Sequence, residues 1–515
     1  MPHSPQQLRE DLLAIWNAGV EGVRVDRLIR HSVSLHGHDF LQIGNEKYYL
    51  NEIDRIIVIG GGKASGAMAE TLESILTPLF DHKEITGWVN VPENSAKPLR
   101  KIFLHPARPM GVNEPTEAAI EGTNKIIKLV KNLKHNDLCL NLLSGGGSAL
   151  LPAPVPEISL QDKLELTRFL SESGATIQEL NTVRKQISRI KGGRLKSLCY
   201  GKQLISLIVS DVLGDPLDVI ASGPTVDNNS SVSDAMAVLR RFAPPILEKF
   251  FNSDNSDNFN NFDNFNNSDN FNNSNNFDDS NPKSITNNNE KILSVRQQAL
   301  LRVYRYFQQQ ICSVHSEPEL KPQNGFVRNL IIGNLATAVD AAGAEALRRG
   351  YSYTMHVSPK SEGFAEEVGS HLADLALMKC SDCLIHGGEP VVKLVPSEQR
   401  GKGGRNQQLV LAALLHLMNR LELETNPSAF PKIAILSGGT DGEDGPTDAA
   451  GAWIDPIFWS EFQKKLKTNP AFQPITFLQH NNAYHFFEPL GTLLKTGITG
   501  TNVCDLRVIL IDHSQ

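Results

Sequence analysis

Short unbroken apolar runs alternate with longer stretches whose apolar positions recur at helical spacing, and the alternation runs through most of the chain. Ile56–Ile59 has the first pattern and predicts a buried strand; Ala64–Leu76 has the second and predicts a helix. Leu138–Leu143, Leu204–Val209, Leu330–Ile332, Ile433–Leu436 and Leu506–Ile511 predict further strands, with a helix over Ala336–Arg349. Apolar strands interleaved with amphipathic helices argue for an α/β fold with mainly parallel sheets and helices on both faces. In such folds ligands bind beyond the carboxyl ends of the strands, so the chemistry is to be sought there.

One stretch breaks the pattern. From Asn252 to Asn289 the chain is almost entirely Asn, Asp, Ser and Phe, and Asp-Asn-Phe-Asn-Asn recurs at Asp257, Asp263 and Asp269. That composition offers too little apolar surface to offset the entropy of ordering, which predicts a disordered insert. A chain of 515 residues exceeds the size of one core. The insert, 251–290, is therefore expected to separate one domain over 1–250 from a second over 291–515.

Charge and cysteine content narrow the function. A formal charge of -7, from 50 basic and 57 acidic side chains, gives no general attraction to nucleic acid. Any anionic ligand must find a local cluster of positive charge. The six cysteines are scattered. Only Cys380 and Cys383 have pair spacing, with His386 nearby but no second pair to close a zinc site, so they read as small residues leading into a strand. Met1 to Asp11 shows no signal-peptide pattern and no run has the length of a spanning helix, which leads to the expectation of a reduced, cytoplasmic protein that binds neither membrane nor nucleic acid.

Three glycine turns carry the chemistry. Gly60, Gly61, Gly62 and Lys63 follow the first strand and precede a helix, where free N–H groups and a point charge favour an anion. Neither a Walker A loop nor Gly-x-Gly-x-x-Gly fits their spacing. A tight strand-to-helix turn is the plain alternative. Ser144, Gly145, Gly146, Gly147 and Ser148 follow Leu138–Leu143 and can present several N–H groups to one phosphate. Ser437, Gly438, Gly439, Thr440 and Asp441 repeat the chemistry after Ile433–Leu436. A basic cluster, Arg184, Lys185, Arg189, Lys191, Arg194 and Lys196, shares a predicted helix with Val183, Ile187 and Ile190 that ends at Gly192 and Gly193. Such a run is a solvated face or a phosphate clamp. Asp211 and Asp215 lie just beyond Leu204–Val209, where a carboxylate can hold Mg²⁺ or accept a proton. Arg405 sits in a glycine-rich loop, and Asp441, Glu443, Asp444 and Asp448 form either a metal-binding cluster or an acidic turn.

The segments Gly60–Gly66, Leu143–Ala149, Asn181–Arg194, Ser210–Pro224, Gly387–Glu389, Gly401–Gln407, Ser437–Gly451 and Thr496–Leu506 together resemble the class II glycerate kinases, two-domain kinases whose C-terminal half is called the MOFRL domain. The resemblance runs nearly end to end and breaks at the Asn-rich insert. It implies a Rossmann-like first domain and a MOFRL-type second, each a three-layer α/β domain, with ATP, Mg²⁺ and D-glycerate in the cleft between them. It also implies that Lys63 and Arg405 are active-site residues, matching a Lys and an Arg placed there in the family, and that the product is 2-phosphoglycerate. The oligomeric state is left open, a homodimer included. On this basis Lys63, Arg405 and Asp211 are the expected catalytic residues. The three glycine turns with Lys191 are expected to hold phosphates, and Asp211, Asp215, Asp441 and Asp444 to hold the metal. The run after His105 and Pro106, Ala107–Met110, departs from the family pattern and leaves His105 without a role. A nicotinamide-dependent hydroxypyruvate reductase would need an acid at the end of the second strand, where Asn90 stands instead. The remaining rival is a non-catalytic sensor of phosphate ligands.

Overall fold

The protein is described by a computed structural model covering residues 4–109, 112–199, 203–243, 294–313 and 326–513. The Asn-rich stretch and its expected disorder lie outside the described residues. The chain divides into two compact units, one within Met1–Ala153, Arg189–Asn228 and Leu320–Gln515, the other within Pro154–Ser188 and Asn229–Glu319.

The larger unit opens with a small antiparallel sheet, β1 (Val33–His36), β2 (Phe40–Ile43) and β3 (Glu46–Tyr49). The first large sheet takes β4 (Arg55–Gly61), β5 (Glu84–Pro92), β6 (Ile102–Arg108), β7 (Leu138–Leu143), β8 (Gln203–Val209) and β9 (Phe326–Gly333) in the order β6-β5-β4-β7-β8-β9. All its pairs are parallel. The order grows outward from β4 on one side and from β7 on the other, so it reverses between these two strands, and their carboxyl ends flank the crevice where such sheets bind ligands. The strands predicted here stand where the apolar pattern put them, and the helix predicted after β4 runs over Ser65–Leu76.

The second large sheet takes β10 (Tyr353–Val357), β11 (Cys383–Gly388), β12 (Ile433–Gly439), β13 (Gly451–Ile454), β14 (Leu493–Leu494) and β15 (Asp505–Ile511) in the order β10-β11-β15-β12-β13-β14. It is mixed where a mainly parallel sheet was expected: only β10 and β11 run parallel. The last strand returns between β11 and β12 and opposes both, and β13 runs antiparallel to both of its neighbours, β12 and β14.

Neither sheet is completed by one continuous stretch of chain. The helix Pro5–Gly22 packs Leu8, Leu12, Ile15 and Trp16 against Leu436, Leu506 and Val508 of the second sheet, and the Trp16 Nε1–H donates to Leu506 O at 3.0 Å. β9, from beyond the Asn-rich stretch, closes the edge of the first sheet. The opposite face of the second sheet is covered by the helices Ala365–Met378 and Arg405–Arg420.

The smaller unit is helical, with Leu160–Glu172, Ile177–Gln186, Val232–Phe242 and Val295–Ser313 packed around Leu166, Phe169, Val183, Leu239 and Phe307. Here the basic segment departs from expectation. The helix ends at Gln186 instead of continuing to Gly192, because Ser188 leaves it to bridge Pro154 in extended conformation.

Candidate active site

At the crevice between β4 and β7 the first two glycine turns are bonded to each other. Gly62 N–H donates to Asn90 O at 3.3 Å, Lys63 N–H to Gly145 O at 2.7 Å, and Ala64 N–H to the Ser144 hydroxyl at 3.0 Å. A Cβ on Gly62 would run into Ser144, so the glycine is needed for this close approach. The first turn therefore spends its N–H groups on β5 and on the second turn, while Gly60 and Gly61 lie in the β4 ladder. What it offers outward is the Lys63 side chain, half-buried and without an ion-pair partner among the described residues.

The second turn is free to receive a ligand. Gly147 N–H bonds Ser144 O at 3.2 Å, but the N–H groups of Gly145 and Gly146 take no acceptor among the described residues. Adjacent N–H groups of this kind form an anion-binding nest. At its far end the Ser148 hydroxyl meets that of Ser222 at 3.0 Å. Lys191, fully buried, donates to Ser148 O at 3.3 Å and Ala221 O at 3.2 Å. Lys191 thus ties the turn to the segment after β8. Ala221 and Ser222 in that segment hold left-handed backbone, at φ 50° and 62°. Side chains rarely adopt it, and such strain gathers at functional sites.

Asp211 faces the second turn: a Cβ on Gly145 would strike its carboxylate. Burial, then the neighbouring Glu389 charge, push the Asp211 carboxyl up to about 6, against the pull of Lys63. Asp441 is also raised, by burial, and also feels Lys63. One of its oxygens accepts Glu443 N–H at 3.1 Å. The other two acids expected at a metal also take hydrogen bonds. Asp215 accepts the Asn334 amide at 2.5 Å. Asp444, buried, accepts Asn406 N–H at 3.0 Å and Gln407 N–H at 2.9 Å. It caps the helix Arg405–Arg420, whose own N-cap residue is Gly404 and has no side chain to do so. Burial pushes Asp444 up to about 7 even against these bonds.

Arg405 opens that helix and is held by two carboxylates. Its NH1 donates to Glu389 at 2.7 Å, and its Nε lies 2.7 Å from Asp505. Burial alone would lower its pKa; Asp505 and Glu389 outweigh that and raise it. Asp505 is placed by the third glycine turn. Thr440 N–H bonds Cys504 O at 3.0 Å and Gly439 N–H bonds Ala450 O at 2.8 Å, so Gly438 and Gly439 are spent on the sheet and fix the start of β15. Sequence reasoning missed Asp505 and gave Glu389 no role. An acid opening an apolar strand was the available signal.

The two sets of side chains meet in the larger unit. The Cys504 thiol donates to Asp211 O at 3.0 Å, and the charges of Lys63, Asp211, Glu389 and Asp441 act on one another. Asn90 is buried and donates to Ala119 O and Leu150 O, a structural task that leaves no ribose-binding acid at the end of β5. Cys383 is buried at the start of β11, where burial pushes its thiol up to about 12, and Cys380 is exposed.

Residues 11–249 match the family described as a domain of unknown function (DUF4147), and residues 382–505 match the MOFRL family. A glycerate kinase of Danio rerio is 34% identical, over 97% of this chain and 97% of its own length. The chain belongs to the glycerate kinase family. Within that family it is also similar to the D-glycerate 2-kinase of Thermotoga maritima, 31% identical over 98% of this chain and 99% of the relative. The crystal structure of a glycerate kinase from Thermotoga maritima superposes with a TM-score of 0.69 at 28% identity, covering 98% of this chain and 100% of that one. Among the described residues no helix is long and apolar enough to cross a membrane.

Proposed function

We propose that the chain is an ATP-dependent kinase that phosphorylates D-glycerate at O2, giving 2-phosphoglycerate. The observation that carries the site is the meeting of an unpaired Lys63, the open N–H groups of the second glycine turn and the Asp211 carboxylate at the reversal of the strand order. Phosphoryl transfer asks mainly for positioning and charge neutralisation, and these groups supply both.

Gly145 and Gly146 N–H hold a phosphate, Lys63 offsets the charge on the transferred group, and Asp211 orients the glycerate hydroxyl and accepts its proton. Arg405 reaches the same group once substrate competes with Glu389 for its NH1. Mg²⁺, when bound, neutralises phosphate oxygens. With Asp211 given to the hydroxyl, its fit rests on the second oxygen of Asp441. So few protein ligands suit a cation that keeps water and phosphate in its shell. Asp444 has both oxygens committed to the start of the helix Arg405–Arg420, and Asp215 has one committed to Asn334.

Phosphorus NMR of the product from ATP and D-glycerate tests the reaction, and coupling to enolase without a mutase tests the position. No phosphoenolpyruvate in the coupled assay would make the O2 assignment wrong.

A further inference from the structure

Arg108 ends β6 with 5% of its surface exposed. Its Nε is wholly buried without a hydrogen-bond partner, and neither of its other nitrogens has a hydrogen bond or ion pair among the described residues. The other deeply buried arginine among the described residues, Arg507, lies against Glu362 at 2.8 Å. Burying a guanidinium without a counter-charge is costly, and the strain shows as a lowered pKa caused by burial. A cation kept in that state calls for an anion that the free protein lacks.

The surroundings say where that anion sits. The point at which Gly146 would carry a Cβ lies 4.0 Å from Arg108 NH1 and 3.3 Å from Lys63 Cγ. The second glycine turn thus lies beside both side chains, and its Gly145 and Gly146 N–H groups are open among the described residues. We propose that Arg108 is a substrate-binding residue that takes an oxyanion, a carboxylate or a phosphate, at the second glycine turn beside Lys63. A planar guanidinium pairs with either through two parallel bonds, whereas Lys63 offers only a point charge. The proposal rests on the kinase reading only for which substrate bears the anion. It also gives a role to Arg108, which lies where the chain departs from the family pattern.

The test uses the full-length protein with Arg108→Gln and Arg108→Lys. D-glycerate and ATP are varied separately in steady-state assays, and melting temperatures are taken free and with each substrate alone. Loss of a charge-assisted pair is expected to raise KM for one substrate by about tenfold or more, abolish the melting shift that substrate gives the wild type, and leave the other within about twofold. Arg108→Lys recovers part of the loss. An effect on D-glycerate assigns the carboxylate; an effect on ATP assigns a phosphate. The ligand-free melting temperature of Arg108→Gln stays level or rises, since an unpaired charge has been removed. Unchanged KM values and melting shifts for both substrates would overturn the proposal, as would a large fall in ligand-free stability with unchanged kinetics. A wild-type protein without glycerate-dependent ATP turnover sinks the kinase reading instead, and the melting shifts with D-glycerate, ATP and inorganic phosphate still decide the role of Arg108.

Discussion

Lys63 and Arg405 approach the same chemistry from opposite electrostatic states. Lys63 has no ion-pair partner among the described residues, while Arg405 is clamped by Glu389 and Asp505. Lys63→Ala and Arg405→Ala are each expected to lower the rate by on the order of 10²–10⁴, the range for a lost charge stabiliser. Because both act on one transferring group, the double mutant falls well short of the product of the single losses. Fully multiplicative losses in single-turnover kinetics would show that they serve separate steps. Arg405→Ala also leaves the buried Asp505 without its counter-charge, so it lowers the melting temperature where Lys63→Ala does not. At this scale the sequence revealed what is local. Lys63 was legible because it follows a strand and a glycine run. The clamp on Arg405 was not, since Asp505 lies 100 residues away, and Arg108 gave no signal because its meaning lies in a missing partner.

Strands β4, β7, β8, β12 and β15 were legible because residues buried on both faces must be apolar throughout. The short strands β1 to β3 were not, since they mix exposed polar side chains with few buried ones. Asp444 looked like a ligand in sequence because the residues that it caps lie nearly forty positions earlier. Asp444→Ala leaves the N–H groups of Asn406 and Gln407 buried without acceptors, which costs about 1–3 kcal/mol each. A clear fall in melting temperature with an unchanged Mg²⁺ requirement is expected, and an altered metal requirement at unchanged stability would restore it to the metal site. In the smaller unit Lys163 is buried in the helix Leu160–Glu172, where burial and then the Arg184 charge push it down to about 7. Its ordinary value is 10.5, so the unfolded chain binds the extra proton between pH 7 and 10.5 and stability rises with pH across that window. Lys163→Met therefore raises the melting temperature by several degrees at pH 7, and the gain shrinks toward zero as the pH approaches 10.5. A gain equal at both ends of the range would mean that packing, not charge, is responsible.

The apolar pattern specified layers but not the path between them. Nothing in Pro5–Gly22 announces that its apolar stripe fits a sheet whose strands come from the other end of the chain. Trp16 is fully buried in that contact, so Trp16→Ala should cost about 3–5 kcal/mol. The loss is expected in urea denaturation as a lower midpoint. A variant with wild-type stability would mean that the helix only rests on the sheet. The bond from Trp16 to Leu506 spans 490 positions. During synthesis at about 5–20 residues per second, the helix leaves the ribosome roughly half a minute or more before the strand it covers exists. Through that interval Leu8, Leu12, Ile15 and Trp16 have no native surface to lie against, and the second sheet cannot close until the last strand has arrived. The nascent chain must therefore carry an uncovered apolar helix for as long as those 490 positions take to make.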